Sequence, residues 1–231
     1  MNILITGASR GVGYELAKLL AAQGHCVLAV ARTKEKMQLL ERESSDLKGA
    51  IHSFTADLAK SFAVDELVQQ IRLRFKSLDV LVNNAGALVS KPFNELSEDD
   101  FNLMLDANLR APFYLIRAMK SMMPAGSHIV NIGSMGGFQG SAKFPGLSIY
   151  SASKGALAIL SECLAEEFKE DGIKVNCLAL GAAQTEMLAE AFPGYKAPLT
   201  AAGMAAFIAD FSVNGSKYFN GKVVPVSVST P

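Results

Sequence analysis

Short aliphatic runs alternate with segments of helical period along the whole chain, and this limits the possible folds more than any other feature. Asn2–Thr6 (NILIT) is a buried-strand pattern, followed by Val12, Leu16, Leu19 and Leu20 at helical spacing. Cys26–Ala31 reads as a second strand, with a polar helix over Lys34–Arg42 behind it. Ile51–Thr55 is a third strand, and Val64, Leu67, Val68, Ile71 and Phe75 mark one face of the next helix. Asp79–Asn83 and His128–Gly133 give the fourth and fifth strands, Ile173–Leu180 the sixth, and Lys222–Val226 a seventh. Between them, Ser97 and Asp100 form a capping-box pattern ahead of a helix with Phe101, Met104, Leu105 and Asn108 on one face. A helix near Ser148–Lys169 carries Leu157, Leu160, Leu164 and Phe168 at core spacing. Strands that are continuous Val/Ile/Leu runs are buried on both faces, as in a parallel sheet. Strand–helix alternation then predicts one α/β domain over residues 1–231, a doubly wound, mostly parallel sheet of about seven strands with helices on both faces.

The composition supports a packed chain. Half of the 231 residues are hydrophobic, whereas disorder needs low hydrophobicity and high net charge. Twenty-two basic residues balance 22 acidic ones, which argues against nucleic-acid or anionic-membrane partners. Cys26, Cys163 and Cys177 sit among apolar neighbours with no C-x-x-C pair and are expected to be buried reduced thiols. His25, His52 and His128 lie far apart, so no metal site is expected. No apolar run reaches the length of a membrane span, and the first strand begins at Asn2, leaving no room for a signal peptide. The expectation is a cytoplasmic protein.

Thr6-Gly7-Ala8-Ser9-Arg10-Gly11-Val12-Gly13 lies between the first strand and the first helix. Gly7 permits a tight turn, Gly11 a close backbone approach to a ligand, and Gly13 close helix–strand packing. Exposed N–H groups and the helix dipole favour a pyrophosphate, so the loop predicts a dinucleotide site. About 20 residues further on, an acid would hold the ribose 2′-hydroxyl of NAD. Here the second strand ends Val30-Ala31-Arg32-Thr33-Lys34, with no carboxylate before Glu35. Arg32 can bind a 2′-phosphate through charge-assisted bonds, and Arg10 can approach from the glycine loop. Two solvated surface arginines are the alternative; the prediction is NADP(H).

Tyr150 and Lys154 stand at i and i+4 on one helical face. A nearby ammonium favours phenolate and is expected to lower the Tyr150 pKa, improving the phenol as a proton donor to a carbonyl. Ser134 follows the fifth strand at its carboxyl end, where open α/β sheets bind ligands, and its hydroxyl can hydrogen-bond a substrate oxygen. Asn108 puts an amide on an apolar stripe, where it requires partners, either as a local cap before Pro112 or in a polar network. Asp57, Asn83 and Gly86 likewise follow predicted strands.

The motifs T-G-A-S-R-G-V-G, N-N-A-G (Asn83–Gly86), Asn108, Ser134 and Y-S-A-S-K together resemble the short-chain dehydrogenase/reductase family over roughly residues 1–187. The glycine spacing is similar to its compact oxidoreductase branch, and the motif set to its 3-oxoacyl-carrier-protein reductases and carbonyl reductases. The resemblance implies a Rossmann-type fold with Tyr150 as acid/base, Ser134 polarising the carbonyl, and Lys154 binding the nicotinamide ribose. Asn108 would hold a water connecting Lys154 to solvent, Asp57 would contact adenine, and Asn83 would form part of the cofactor wall. Ser9, Val12, Leu58, Ala85, Gly181 and Thr185 complete the implied cofactor contacts. Also implied are a small-molecule carbonyl substrate, which includes acyl thioesters, and a homodimer or homotetramer paired through the Tyr150 helix. A non-catalytic dinucleotide-binding sensor or scaffold is the alternative function.

The chain departs from the family pattern in three places. Ser134 precedes Tyr150 by 16 residues, a longer interval than usual, and the glycines at 136, 137, 140 and 146 are expected to let the insertion loop out. The usual Pro-Gly after the sixth strand reads Leu180-Gly181, which leaves that turn without proline's stiffness. The chain ends Pro225-Val226-Ser227-Val228-Ser229-Thr230-Pro231 without Asp-Gly-Gly, and Glu186–Thr200 is short for a substrate lid. The stretches 136–147 and 182–199 are expected to line the pocket.

Overall fold

The structure is a computed structural model that describes residues 1–228; Ser229, Thr230 and Pro231 of the C-terminal segment lie outside the described residues. Seven strands form one sheet: β1 (Asn2–Thr6), β2 (Cys26–Ala31), β3 (Ala50–Thr55), β4 (Val80–Asn83), β5 (His128–Ile132), β6 (Lys174–Leu180) and β9 (Val223–Val226). Two short strands, β7 (Ala183–Gln184) and β8 (Leu199–Thr200), pair separately. The large sheet has the order β3-β2-β1-β4-β5-β6-β9, and every pairing in it is parallel. The expected doubly wound, parallel architecture is therefore present, and each strand boundary lies within one residue of its sequence expectation.

Alternation within the strands distributes the side chains between two helix layers. Ile3, Ile5, Val27, Ala29, Val80 and Val82 face α1 (Gly11–Ala22), α2 (Lys34–Glu43) and α8 (Ala201–Asn214). Leu4, Leu28, Val30, Leu81, Ile129 and Val175 face α3 (Ser61–Arg74), α5 (Ala111–Met119) and α6 (Ser148–Glu167). These side chains are almost wholly buried on both faces, which is why the strands lack a polar alternation. Pro225 sits in the edge strand β9, where its missing N–H costs no interior ladder bond.

Two helical expectations and the one for the cysteines need correction. Ser97 and Asp100 do form a reciprocal capping box at the start of α4 (Glu98–Leu105), but Phe101 is exposed and not on the core stripe. A π-helical turn over Asp106–Arg110 follows and shifts the helical phase, so a single stripe cannot run from Phe101 to Asn108. The inward face of α6 is made of Ser153, Lys154, Leu157, Ala158, Ser161 and Ala165, while Leu160 and Leu164 are only half-buried. Cys163 lies on the outer side of that helix and is exposed, and Cys26 is half-buried; of the three thiols only Cys177 is fully buried.

Among the described residues no group of three His, Cys, Asp or Glu side chains is placed to hold a metal ion. No helix among them is long and apolar enough to cross a membrane.

Candidate active site

The chain runs from β1 outward to β2 and β3, then returns to the other side of β1 for β4, β5 and β6. A crevice therefore opens where β1 and β4 diverge, at the carboxyl ends of the strands. Its two walls are tied together by Thr6, whose Oγ1 accepts the N–H groups of Asn84 (3.0 Å) and Ala85 (2.9 Å). Asn84 Nδ2 donates in return to the Thr6 carbonyl at 2.9 Å.

The resulting cleft has a volume of about 800 Å³. Gly7, Ser9, Arg10, Gly11, Val12 and Gly13 line it from the glycine loop, Arg32 from the end of β2, and Asp57 and Leu58 from beyond β3. Ala85 and Gly86 contribute from beyond β4, Ser134 from beyond β5, Tyr150 and Lys154 from α6, and Gly181 and Thr185 from beyond β6. Gly7 has a φ of 70°, and a Cβ on it would fall 2.8 Å from Ala85 Cα. The loop can thus lie against the β4 wall only without a side chain at that position.

Two expected site residues are not in the lining. Asn83 is buried in the sheet, where its amide donates to Asn131 Oδ1 at 2.8 Å; its neighbour Asn84 faces the cleft instead. Asn108, carried inward by the π-helical turn, is wholly buried. Its Nδ2 donates to Ala87 O (2.9 Å) and Ser153 Oγ (3.0 Å), and its Oδ1 accepts from Ala87 N (2.9 Å). The amide locks the β4 loop to α6, with both of its N–H groups engaged. Of the two alternatives for this residue, the polar network is the one the structure contains.

Ser134 Oγ accepts the Gly136 N–H at 3.1 Å, which orients the hydroxyl and leaves its hydrogen to donate elsewhere. Burial pushes the Tyr150 phenol above its ordinary value, and a hydrogen bond from Ser134 acts in the opposite direction. This corrects the expected lowering by Lys154, because that ammonium is directed elsewhere: its Nζ donates to Ile132 O at 2.7 Å. Lys154 is itself buried, and burial lowers its pKa to about 8. The nearby Cys177 thiol is pushed up to about 11 by burial and stays neutral.

The long Ser134–Tyr150 interval is anchored at its two ends, while Gln139, Gly140, Ala142, Lys143 and Pro145 between them are exposed, as a looped-out insertion would be. A 3₁₀ turn, Met135–Gly137, packs Gly137 directly on the backbone of Lys154 and Gly155. Ser141 Oγ bonds Met135 O and Phe138 O, Lys143 Nζ donates to Phe138 O at 2.6 Å, and Phe144 and Leu147 return to the cleft. The turn after β6 is fixed without proline: Gly181 N–H donates to Val226 O at 2.9 Å, and Ser227 packs over the glycine. Thr185 caps α7 (Glu186–Ala191), accepting Leu188 N–H at 3.2 Å, and rests its methyl beside Gly11.

Arg10 lines the cleft and also makes a contact that its position in the sequence does not show. Its Nη1 is 2.8 Å from Glu190 Oε1 on α7, so in this structure the guanidinium ties the glycine loop to the lid. The sequence reading also missed Thr33, Lys36, Met187, Phe192 and Tyr195 as individual lining residues. Lys36 was legible as the second basic residue after Arg32, in the first turn of α2; the others carry no sequence signal of their own.

A sequence profile described as short chain dehydrogenase matches residues 1–196. The chain is 34% identical over 187 residues to a 3beta-hydroxysteroid dehydrogenase of Mediterraneibacter gnavus, covering 80% of this chain and 67% of that protein. It is 32% identical over 236 residues to a 3-oxoacyl-acyl-carrier-protein reductase of Chlamydia trachomatis, covering 96% and 94%. A crystal structure of a short chain dehydrogenase from Burkholderia cenocepacia in complex with NADP superposes with a TM-score of 0.89 at 29% identity, covering 99% of this chain and 96% of that one.

Proposed function

The chain belongs to the short-chain dehydrogenase/reductase family of oxidoreductases, and from that premise we propose that it is an NADP(H)-dependent carbonyl reductase with Tyr150 as its general acid. The observation that carries this reading is the convergence of Ser134, Tyr150 and Lys154 with the glycine loop in one cleft. The donor set there suits a dinucleotide phosphate. The glycine loop leads into the N-terminus of α1, a seat for pyrophosphate, and Arg32, Thr33 and Lys36 surround the end of β2, where a 2′-phosphate would need cations. The relative solved with NADP supports the same choice. Bound there, the cofactor would supply a hydride to the carbonyl carbon.

The chain's own groups manage the proton and the oxygen. Burial keeps the Tyr150 phenol protonated, the form a reductase needs, and it would release that proton to the carbonyl oxygen. Ser134 would turn its hydroxyl hydrogen from the Tyr150 oxygen to the same carbonyl oxygen. Lys154 holds a positive charge beside these groups below about pH 8. Asn108 acts at a distance by fixing the β4 loop against α6.

Lining residues from 135–147 and 182–199 are Met135, Gly136, Phe144, Leu147, Ala182, Ala183, Thr185, Glu186, Met187, Leu188, Phe192 and Tyr195, with Glu186 the one charged side chain and no cation among them. This supports a neutral carbonyl substrate with apolar substituents over one held by a carboxylate or phosphate. Phe101, Phe113 and Ile159 are large apolar side chains left exposed on α4, α5 and α6, which supports self-association through that face.

NADPH oxidation against a panel of ketones, aldehydes and 3-oxoacyl thioesters tests the assignment. Turnover of a neutral apolar ketone is expected; tight NADPH binding with no turnover across the panel would replace this reading with a dinucleotide sensor. The cofactor preference has its own test. Arg32→Ala should weaken NADPH by roughly 10- to 100-fold, the worth of a charge-assisted bond, with little change for NADH. Equal losses for both would remove the 2′-phosphate argument.

The pH dependence identifies Lys154. As pH rises through about 8 the free enzyme loses this ammonium, while the Tyr150 phenol, pushed above its ordinary value, remains protonated. The kcat/KM for reduction should therefore fall across that range. Lys154→Arg keeps its charge throughout and should lack this limb even at a lower rate. An unchanged limb in that variant would assign it to another group.

A further inference from the structure

Arg10 is the one residue of the glycine loop with a charge, and among the described ion pairs it alone joins that loop to the lid helix α7. Glu186 and Glu190 stand four residues apart, on one face of α7, and that face is turned to the loop. Glu190 Oε1 is 2.8 Å from Arg10 Nη1, and Glu186 Oε2 would lie 3.5 Å from a Cβ at Gly11. A second cavity of about 280 Å³ is bounded by Arg10, Arg32 and Glu190 together. Both arginines and the lid carboxylate therefore face one space.

We propose that Glu190 is a specificity-determining residue for the cofactor: it competes with the ribose 2′-phosphate for Arg10, and so restrains the preference for NADPH over NADH. The inference rests on the NADP(H) reading above. A carboxylate on the guanidinium lowers the positive field that an incoming phosphate would meet, and it repels the phosphate directly. NADH carries no 2′-phosphate, so its affinity is insensitive to this contest. The pair is solvent-exposed, and exposed pairs are weak, which sets a modest effect that salt diminishes.

The test is equilibrium binding of NADPH and NADH, followed by nicotinamide fluorescence at low ionic strength. Glu190→Gln should tighten NADPH by about two- to fivefold and leave NADH unchanged. In the Arg10→Ala background the same substitution should give no gain. Glu186→Gln is the internal control: Glu186 faces the loop that would seat the pyrophosphate common to both cofactors, so any gain there should be shared. Weaker NADPH binding in Glu190→Gln would overturn the inference, because the carboxylate would then be assisting the phosphate through the lid. Equal shifts for the two cofactors, or a gain that persists without Arg10, would also overturn it. Failure of the cofactor reading looks different. There the wild-type protein itself would not prefer NADPH, and Arg32→Ala would not distinguish the two dinucleotides.

Discussion

Tyr150→Phe should still bind NADPH and should lose turnover by a factor of at least about 10², the contribution of one positioned general acid. The substitution removes one oxygen from a ring that lines the cleft and leaves the helix that carries it intact. The glycine loop, Arg32 and Asp57 approach the cleft from other elements and are untouched, so dinucleotide affinity should stay within about twofold, inside the range of a change that removes no contact. The kinetic loss should appear in kcat, since the proton is needed in the transition state. Steady-state turnover beside an NADPH titration separates the two effects. A variant with wild-type turnover would show that the proton comes from another group, and one that loses NADPH binding would make Tyr150 structural.

The effect is expected to be large because nothing else nearby is placed to substitute. Ser134 offers only an aliphatic hydroxyl, a far weaker acid than a phenol. Lys154 Nζ donates to the Ile132 carbonyl, and the Cys177 thiol is wholly buried on the interior strand β6.

Most of the fold was readable because a parallel sheet covered on both faces demands uninterrupted aliphatic strands. Ile3, Leu4 and Ile5 are buried together although alternate side chains enter different helix layers. The readings that failed share a cause: each depended on helical phase, or on contacts between distant parts of the chain. The π-helical turn at Asp106–Arg110 breaks the stripe from Phe101 to Asn108. On α6 the core face is mostly small, Ser153, Ala158, Ser161 and Ala165, because the helix packs close to the sheet and to the turn at Gly137; a search for large aliphatic residues then finds its flanks, Leu160 and Leu164. The outward placement of Cys163 follows from the same rotation.

The candidate site was legible as a set of residues more than as a set of interactions. Spacing along one helix places Tyr150 and Lys154 side by side, but it cannot say that burial outweighs the ammonium at the phenol, or that the lysine bonds a β5 carbonyl. The partner of Arg10 lies 180 residues away in sequence, on a lid whose docking depends on Thr185 packing against Gly11. Asn83 and Asn84 are adjacent and chemically identical. Only the end of β4 decides that the first is enclosed with Asn131 and the second faces the cleft.

That end of β4 also leaves Gly13 no room for a side chain. A Cβ at this position would clash with Gly7 O and Asn84 Nδ2, the first a backbone atom with nowhere to move. Asn84 Nδ2 is the donor to Thr6 O that joins the β1 and β4 walls of the cleft. Gly13→Ala must therefore lift α1 from its loop or break that tie, and overpacking of this kind costs about 1–3 kcal/mol. Dinucleotide affinity should fall with it, since the helix N-terminus and the loop N–H groups lose their alignment. The control is Gly203→Ala on α8, where a Cβ would meet only Thr200 Oγ1 at 3.3 Å; helix propensity there favours alanine, so no loss of stability is expected. Thermal melts and NADPH titrations of the two variants decide the matter. A Gly13→Ala protein with wild-type melting and affinity would mean that the loop can open by more than a methyl group without consequence, and the close approach of α1 to the β4 wall would then have no part in holding the cofactor.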